Sequence, residues 1–293
     1  MGDDQFILKT SLLDLLHELR DEDLRLILGG GYGLYLKQIH LQNTLSDSRL
    51  IEGEFWPVPR ATEDLDIILR TEIVIDAARM GPIRTALDRL NYLAVSGAKY
   101  MQFVKHLSGG KFVKVDLLTG PLGAFADDPR VKVDDRRVRP RHGVKLHAHR
   151  MDEALGFEDN TMAIPVAGTL SSGDIYRATI CIPSAFTFLL MKLYAFCDRC
   201  HDEEKDWARH HALDLYRVVA MMTEREFEQT RYKNREYSQH LVLIEAARIV
   251  ATDFASPESL GSLRLRSHLL WNEAMALTRF LSGLRDLFLR VDG

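Results

Sequence analysis

The chain has 293 residues, of which 46% are hydrophobic and 27% charged, and a formal net charge of −4. That length buries a proper core in one large or two medium domains, and the slight negative charge excludes a general polyanion binder, so any nucleic-acid contact must come from a local patch. Three cysteines exclude a disulfide scaffold. No apolar run reaches spanning length and no export signal opens the chain, so a cytoplasmic protein without membrane contact is expected.

Ser11 to Arg20 predicts an amphipathic helix, with Leu12, Leu13, Leu15, Leu16 and Leu19 as its apolar stripe and Thr10 or Ser11 as cap. Leu24 to Leu28 predicts a short strand. It runs into Gly29-Gly30-Gly31-Tyr32-Gly33, and helical spacing resumes over Leu34 to Leu41. A strand, a glycine-rich turn and a helix start can turn backbone N–H groups toward phosphates, or form a plain tight turn. Gln42 to Pro59 predicts a loop.

Arg60-Ala61-Thr62-Glu63-Asp64-Leu65-Asp66-Ile67-Ile68-Leu69 follows. In a strand, residues i and i+2 share a face, so Asp64 and Asp66 project together. Paired carboxylates repel unless a cation lies between them, and a hard divalent metal ion is the usual solution. Thr71 to Tyr92 predicts a helix broken or kinked at Gly81-Pro82. Tyr100 to Leu107 and Phe112 to Leu118 predict a hairpin turning at Ser108 to Lys111. Its second strand carries one acid, Asp116, which needs a cation, donors or a metal ion if buried, and water if at an edge. Asp127 to Asp135 reads as an acidic turn. Arg136, Arg137, Arg139, Arg141, Lys145 and Arg150 then form the one dense basic patch, a phosphate-contacting surface or a solvated loop. Ala163 to Ile182 reads as irregular to strand-like.

Beyond Pro183 the pattern becomes helical. Ala185 to Cys197 is apolar nearly all round and should be buried, with Ser184 as cap and Lys192 as its single charge. A buried ammonium needs an anion, either a structural carboxylate or a substrate phosphate. A second helix over Trp207 to Met222 carries Asp214-Leu215-Tyr216. On one straight helix Lys192 and Asp214 would stand about 33 Å apart, but a turn over Asp198 to Asp206 can bring them together. Further helices are expected over Arg235 to Phe254 and Ser267 to Val291. The resulting division is 1–182 and 183–293. Cys197-Asp198-Arg199-Cys200-His201 matches a haem-attachment pattern, but such attachment accompanies export, and a zinc set with Cys181, His210 and His211 would have irregular spacing.

Gly30-Gly31, Asp64-Leu65-Asp66 and Asp116, each in its strand context, resemble the nucleotidyltransferase superfamily with the DNA polymerase β-like fold. More narrowly, Arg60, Thr62, Asp64 and Asp66 match the Arg-x-Ser/Thr-x-Asp-x-Asp signature of the branch that includes the AbiEii-type toxins of type IV toxin–antitoxin systems. Lys192 and Asp214-Leu215-Tyr216 match that branch's helix lysine and later acidic motif, with Lys205-Asp206 as a rival for the acid. Two departures stand. The stretch from Gly31 to Asp64 is long, which marks Gln42 to Pro59 as an insertion, and the third acid is often altered in this branch.

The resemblance implies an α+β fold, a mixed-sheet nucleotidyltransferase core followed by an all-α C-terminal domain. It implies transfer of a nucleoside monophosphate from an NTP to an acceptor hydroxyl on RNA or tRNA, a protein or a small molecule. Asp64, Asp66 and Asp116 would hold Mg²⁺, with Asp116 alternatively the base for the acceptor hydroxyl. Gly30 and Gly31 would present N–H groups to the triphosphate, Arg60 and Lys192 would neutralise it, and Thr62 would donate to a phosphate or orient an aspartate. Asp214 would position Lys192 or the acceptor. The patch from Arg136 to Arg150 would meet RNA, and a cognate antitoxin would be a partner. The other expectation is an inactive nucleotidyltransferase-like binding module or antitoxin partner.

Overall fold

The computed structural model describes residues 3–44, 49–60, 62–202 and 207–289. Lys205-Asp206, the rival for the later acid, lies outside the described residues. The chain divides into two compact units. The first comprises Met1–Leu36, Ala61–Asp152 and Phe157–Pro183, and the second Lys37–Arg60, Glu153–Gly156 and Ser184–Gly293.

The chain enters through helix α1 (Asp3–Glu18), which starts two turns before the expected Ser11. Thr10 and Ser11 therefore lie inside the helix and cap nothing at its start. The Thr10 hydroxyl instead donates to the carbonyl of Thr169 at 3.1 Å, while Leu12, Leu13 and Leu15 are buried as the stripe requires. Strand β1 (Ile27–Leu28) is shorter than expected, and helix α2 (Gly30–Gln42) begins inside the glycine cluster. Strand β2 (Asp64–Leu69) carries the paired acids.

The helical stretch after it breaks elsewhere than at Gly81-Pro82. Helix α3 (Thr71–Val74) stops, Asp76 accepts from the Ala78 N–H at 2.8 Å, and helix α4 (Ala77–Arg89) runs on through Pro82. The cap fixes the new start. Pro82, the sixth residue of α4, gives up the hydrogen bond to Ala78 and crowds its carbonyl without ending the helix.

Strands β3 (Leu93–Ala94), β4 (Gln102–His106) and β5 (Phe112–Thr119) follow. The β4–β5 hairpin turns through Gly109 at φ 72° and Gly110 at φ 75°, backbone positions that suit glycine. Strands β6 (Val131–Asp134) and β7 (Arg137–Pro140) replace the expected acidic turn and basic loop, folding back at Asp135 with φ 59°. Strand β8 (Ala148–Arg150) completes that meander. Strands β9 (Met162–Thr169) and β10 (Ile175–Ile182) form a regular antiparallel hairpin where the sequence reads as partly irregular.

Among the described residues, ten strands join one mixed sheet in the order β6-β7-β8-β5-β2-β1-β10-β9, with β4 on β5 and β3 on β4. The β2–β5, β5–β8 and β1–β10 pairs are parallel. The unit thus has the mixed-sheet α+β architecture expected.

The second unit is built from helices α5 (Ala185–Cys197), α6 (Trp207–Ala220), α7 (Glu224–Glu236), α8 (Leu241–Asp253), α9 (Leu260–Arg266) and α10 (Leu277–Phe288). Helix α5 has its expected bounds, with the Ser184 hydroxyl accepting from the Thr187 N–H. Its apolar circumference is buried from Ala185 to Leu193. Phe196, Phe254 and Phe280 meet edge to face or tilted at centroid distances of 5.0 and 5.9 Å. Of the expected helix over Arg235 to Phe254, Leu241–Asp253 forms as α8, while α7 (Glu224–Glu236) lies almost wholly before it, where the sequence reading expects no helix. Thr223 and Glu226 make a reciprocal capping box that starts α7, and His240 caps α8. The expected helix over Ser267 to Val291 is absent before Leu277. There the His268 ring accepts from the Leu270 N–H at 3.0 Å and Asn272 from the Ala274 N–H at 3.0 Å, so side chains take the amides a helix would use.

Candidate active site

The parallel register of β2 and β5 sets Asp66 beside Asp116 and Asp64 beside Lys114. Residues in register on neighbouring strands share a face. Asp64, Asp66, Lys114 and Asp116 therefore stand on one side of the sheet, while Leu65, Ile67, Val113 and Val115 are buried on the other. The Lys114 ammonium lies 3.2 Å from Asp116 Oδ2 and 3.4 Å from Asp64 Oδ2. Burial disfavours that ammonium, but Asp116 and Asp64 override it and raise its pKa. Burial pushes the Asp116 carboxyl up, and Lys114 offsets only part of the push. The Gln102 side chain, in register on β4, also acts on the Asp116 carboxyl as a hydrogen-bond donor and lowers it, while Asp116 Oδ1 makes no close hydrogen bond among the described residues.

The start of α2 closes against these acids. Gly29 N–H donates to the Asp66 carbonyl at 2.8 Å, and Gly33 N–H makes the first helical bond, to Gly29, at 2.9 Å. Gly30 stands at φ 59°, and a Cβ there would collide with the Asp66 carboxylate. Glycine is thus required twice, by backbone angle and by space. A carboxylate at a helix N-terminus is favoured by the helix dipole. Gly30 and Gly31 are both buried. Thr62 lines a small cavity of about 190 Å³ with Ile7, Leu8, Glu63 and Phe112.

Arg60, Lys192 and Asp214 belong to the second unit. The α5–α6 packing brings the Lys192 ammonium 2.7 Å from Asp214 Oδ2, so the turn between those helices does join them. Arg60 reaches the same oxygen at 3.3 Å, and Arg217 reaches Asp214 Oδ1 at 3.0 Å. Asp214 and Arg217 are fully buried and Lys192 nearly so. Burial alone would raise the Asp214 carboxyl, but Lys192, Arg60 and Arg217 together hold it well below the usual carboxylate range. Nearby, burial and the Lys192 charge push the His211 ring well below its ordinary value. His210 and His268 share a hydrogen bond at 2.9 Å. Burial, the neighbouring His210 and Arg60 lower His268 to about 4.

Sequence reading misses Lys114 and Arg217. The signals exist: Lys114 is two residues before Asp116 in a strand, and Arg217 is one helical turn after Asp214. In the basic stretch, Arg137 and Arg139 pair with Asp134, at 2.6 and 3.4 Å, and Arg150 pairs with Asp152 at 2.9 Å. Arg136, Arg141 and Lys145 remain exposed. Cys181, Cys197 and Cys200 are free thiols, and the Cys200 thiol donates to the Cys197 carbonyl at 3.2 Å, at the end of α5.

Among the described residues, no three His, Cys, Asp or Glu side chains converge into a ready metal cluster. The donor chemistry of the sheet acids nevertheless fits a hard divalent cation. Three carboxylates share a face, and Asp116 Oδ1, without a close hydrogen bond, is the kind of buried oxygen a metal ion satisfies.

No protein-family model matches the chain, and no curated protein matches it. Two solved structures of the antibiotic-resistance factor ANT(2'')-Ia show a loose likeness. A solution structure gives a TM-score of 0.36 at 13% identity, covering 80% of this chain and 97% of that one. A crystal structure in complex with adenylyl-2''-tobramycin gives 0.37 at 11% identity, covering 84% and 98%. At that overlap, what the site does rests on this chain's own residues.

Proposed function

We propose that the chain is a nucleotidyltransferase that moves a nucleoside monophosphate from an NTP to an acceptor hydroxyl and releases pyrophosphate. The observation that carries this reading is the register of Asp64, Asp66 and Asp116 on one sheet face, with Gly30 closed against Asp66. Carboxylates are costly to crowd, and a fold that also reserves a glycine beside one of them is built around that cluster. Asp64, Asp66 and Asp116 would hold Mg²⁺, which would supply positive charge against the phosphate charge that develops in the transition state. Asp116 Oδ1, buried without a close hydrogen bond, also suits acceptance of the hydroxyl proton.

In the second unit, three cations, Arg60, Lys192 and Arg217, surround the Asp214 carboxylate, and Arg60, the most exposed of them, with Lys192 would neutralise an anion such as a triphosphate. Asp214 positions the Lys192 ammonium. The match of Arg60, Thr62, Asp64 and Asp66 to the AbiEii signature supports a toxin of that branch, held in check by a cognate antitoxin. Exposed Arg136, Arg141 and Lys145 support an RNA acceptor, through phosphate contacts.

A second reading, an inactive binding module, draws support from the Lys114 ammonium already paired with two of the acids. Calorimetric titration with NTP and Mg²⁺ separates the two. The transferase reading expects metal-dependent NTP binding that Asp66→Ala abolishes. Binding indifferent to both metal and Asp66 would contradict it.

A further inference from the structure

We propose that Lys114 is a resident counter-cation that competes with the divalent metal ion for the sheet carboxylates and makes way when metal and nucleotide arrive together. The inference rests on the nucleotidyltransferase reading of the acids. Lys114 is placed by strand geometry alone: its β5 neighbour two residues on is Asp116, and its β2 neighbour in register is Asp64. Its ammonium bridges one oxygen of each, at 3.4 Å from Asp64 and 3.2 Å from Asp116. These are oxygens a bridging metal ion would use. A divalent ion and an ammonium repel each other and so compete for them.

Lys114 is not locked in. Its side chain retains 26% exposure, and its β4 neighbour in register is Val104, which offers the ammonium no polar hold. The flexible stem lets the ammonium swing toward solvent while its carbons stay on the sheet. Once displaced, it finds a new anion in the triphosphate that accompanies the metal ion. Lys114 therefore keeps the acids neutralised in the empty protein, weakens binding of metal alone, and links metal binding to nucleotide binding.

The test is Mn²⁺ binding without nucleotide, followed by the electron paramagnetic resonance signal of free Mn²⁺. Wild type is compared with Lys114→Met, Lys114→Gln and Lys114→Arg, with folding checked by circular dichroism. Lys114→Gln carries the test where the Met variant does not fold. Removing the charge should tighten Mn²⁺ binding at least about tenfold, and Lys114→Arg should stay near wild type. Unchanged or weaker binding by the neutral variants, with wild type binding Mn²⁺, would overturn the competitor role and leave the metal reading standing. No Mn²⁺ bound by wild type or by the folded neutral variants would overturn both.

Discussion

Asp214→Asn tests the buried charge cluster of the second unit. Asparagine keeps the shape of the side chain but removes the anion that faces Lys192 at 2.7 Å, Arg217 at 3.0 Å and Arg60 at 3.3 Å. Breaking a buried pair from one side typically costs ~3–5 kcal/mol, because the partner charge stays buried and uncompensated. Here the partners' side chains are 7%, 1% and 18% exposed, so water relieves little of that cost. A loss of ~3 kcal/mol is expected, at roughly 2–4 °C per kcal/mol for domains approaching this size. Trp56, Trp207 and Trp271 all lie in the second unit, so tryptophan fluorescence during urea unfolding reports on that unit. Lys192→Met should cost less, because Asp214 keeps two cations. A loss below ~1 kcal/mol for Asp214→Asn, or an equal loss for Lys192→Met, would refute the reasoning.

Acid should destabilise the same unit in two stages. His268 is neutral when folded, with a value lowered to about 4, and protonated below roughly 6.5 when unfolded. The unfolded chain then binds more protons, so His268's contribution is full above that value and is lost as pH falls toward 4. His268→Gln should flatten the fall in urea midpoint over this window, and an unchanged slope would count against it. Asp214, held low, contributes fully above roughly pH 3.9, and its share is lost only as pH falls through its lower folded value; because the Asp214 charge also raises the His268 ring, Asp214→Asn should keep the earlier stage and extend it to lower pH. Gly30→Ala places a Cβ at φ 59° and into the Asp66 carboxylate. It should cost at least ~1 kcal/mol from backbone angle alone and weaken metal-dependent NTP binding, read by denaturation and calorimetry. An alanine variant with wild-type stability would show that the close approach is not real.

The sequence exposes most where one physical signal dominates. Helix α5 is legible to the residue because Ser184 caps it and an unbroken apolar circumference has no other home. The face shared by Asp64 and Asp66 follows from strand period, and the Lys192–Asp214 contact from a turn the polar stretch demands. Register across the sheet is not legible, since pairing β2 with β5 depends on the whole fold. Lys114 therefore goes unnoticed although it stands beside Asp64. Arg217 goes unnoticed because an arginine in a helix usually faces water, and burial is a tertiary fact. The α7 start is legible in Thr223-Glu224-Arg225-Glu226, a capping-box pattern. The gap between α9 and α10 is harder to see, because His268 and Asn272 compete for backbone amides only once the chain is folded.

The most direct test of nucleotidyl transfer is incubation with each α-phosphate-labelled NTP, Mg²⁺ and total RNA, beside an Asp64→Ala/Asp66→Ala control. Label on RNA, or on the protein itself, that requires the intact acids is the predicted result, and it would name both the base and the acceptor class. Equal labelling by the double variant, or no label with any of the four NTPs together with no Mg²⁺-dependent NTP binding, would contradict the account.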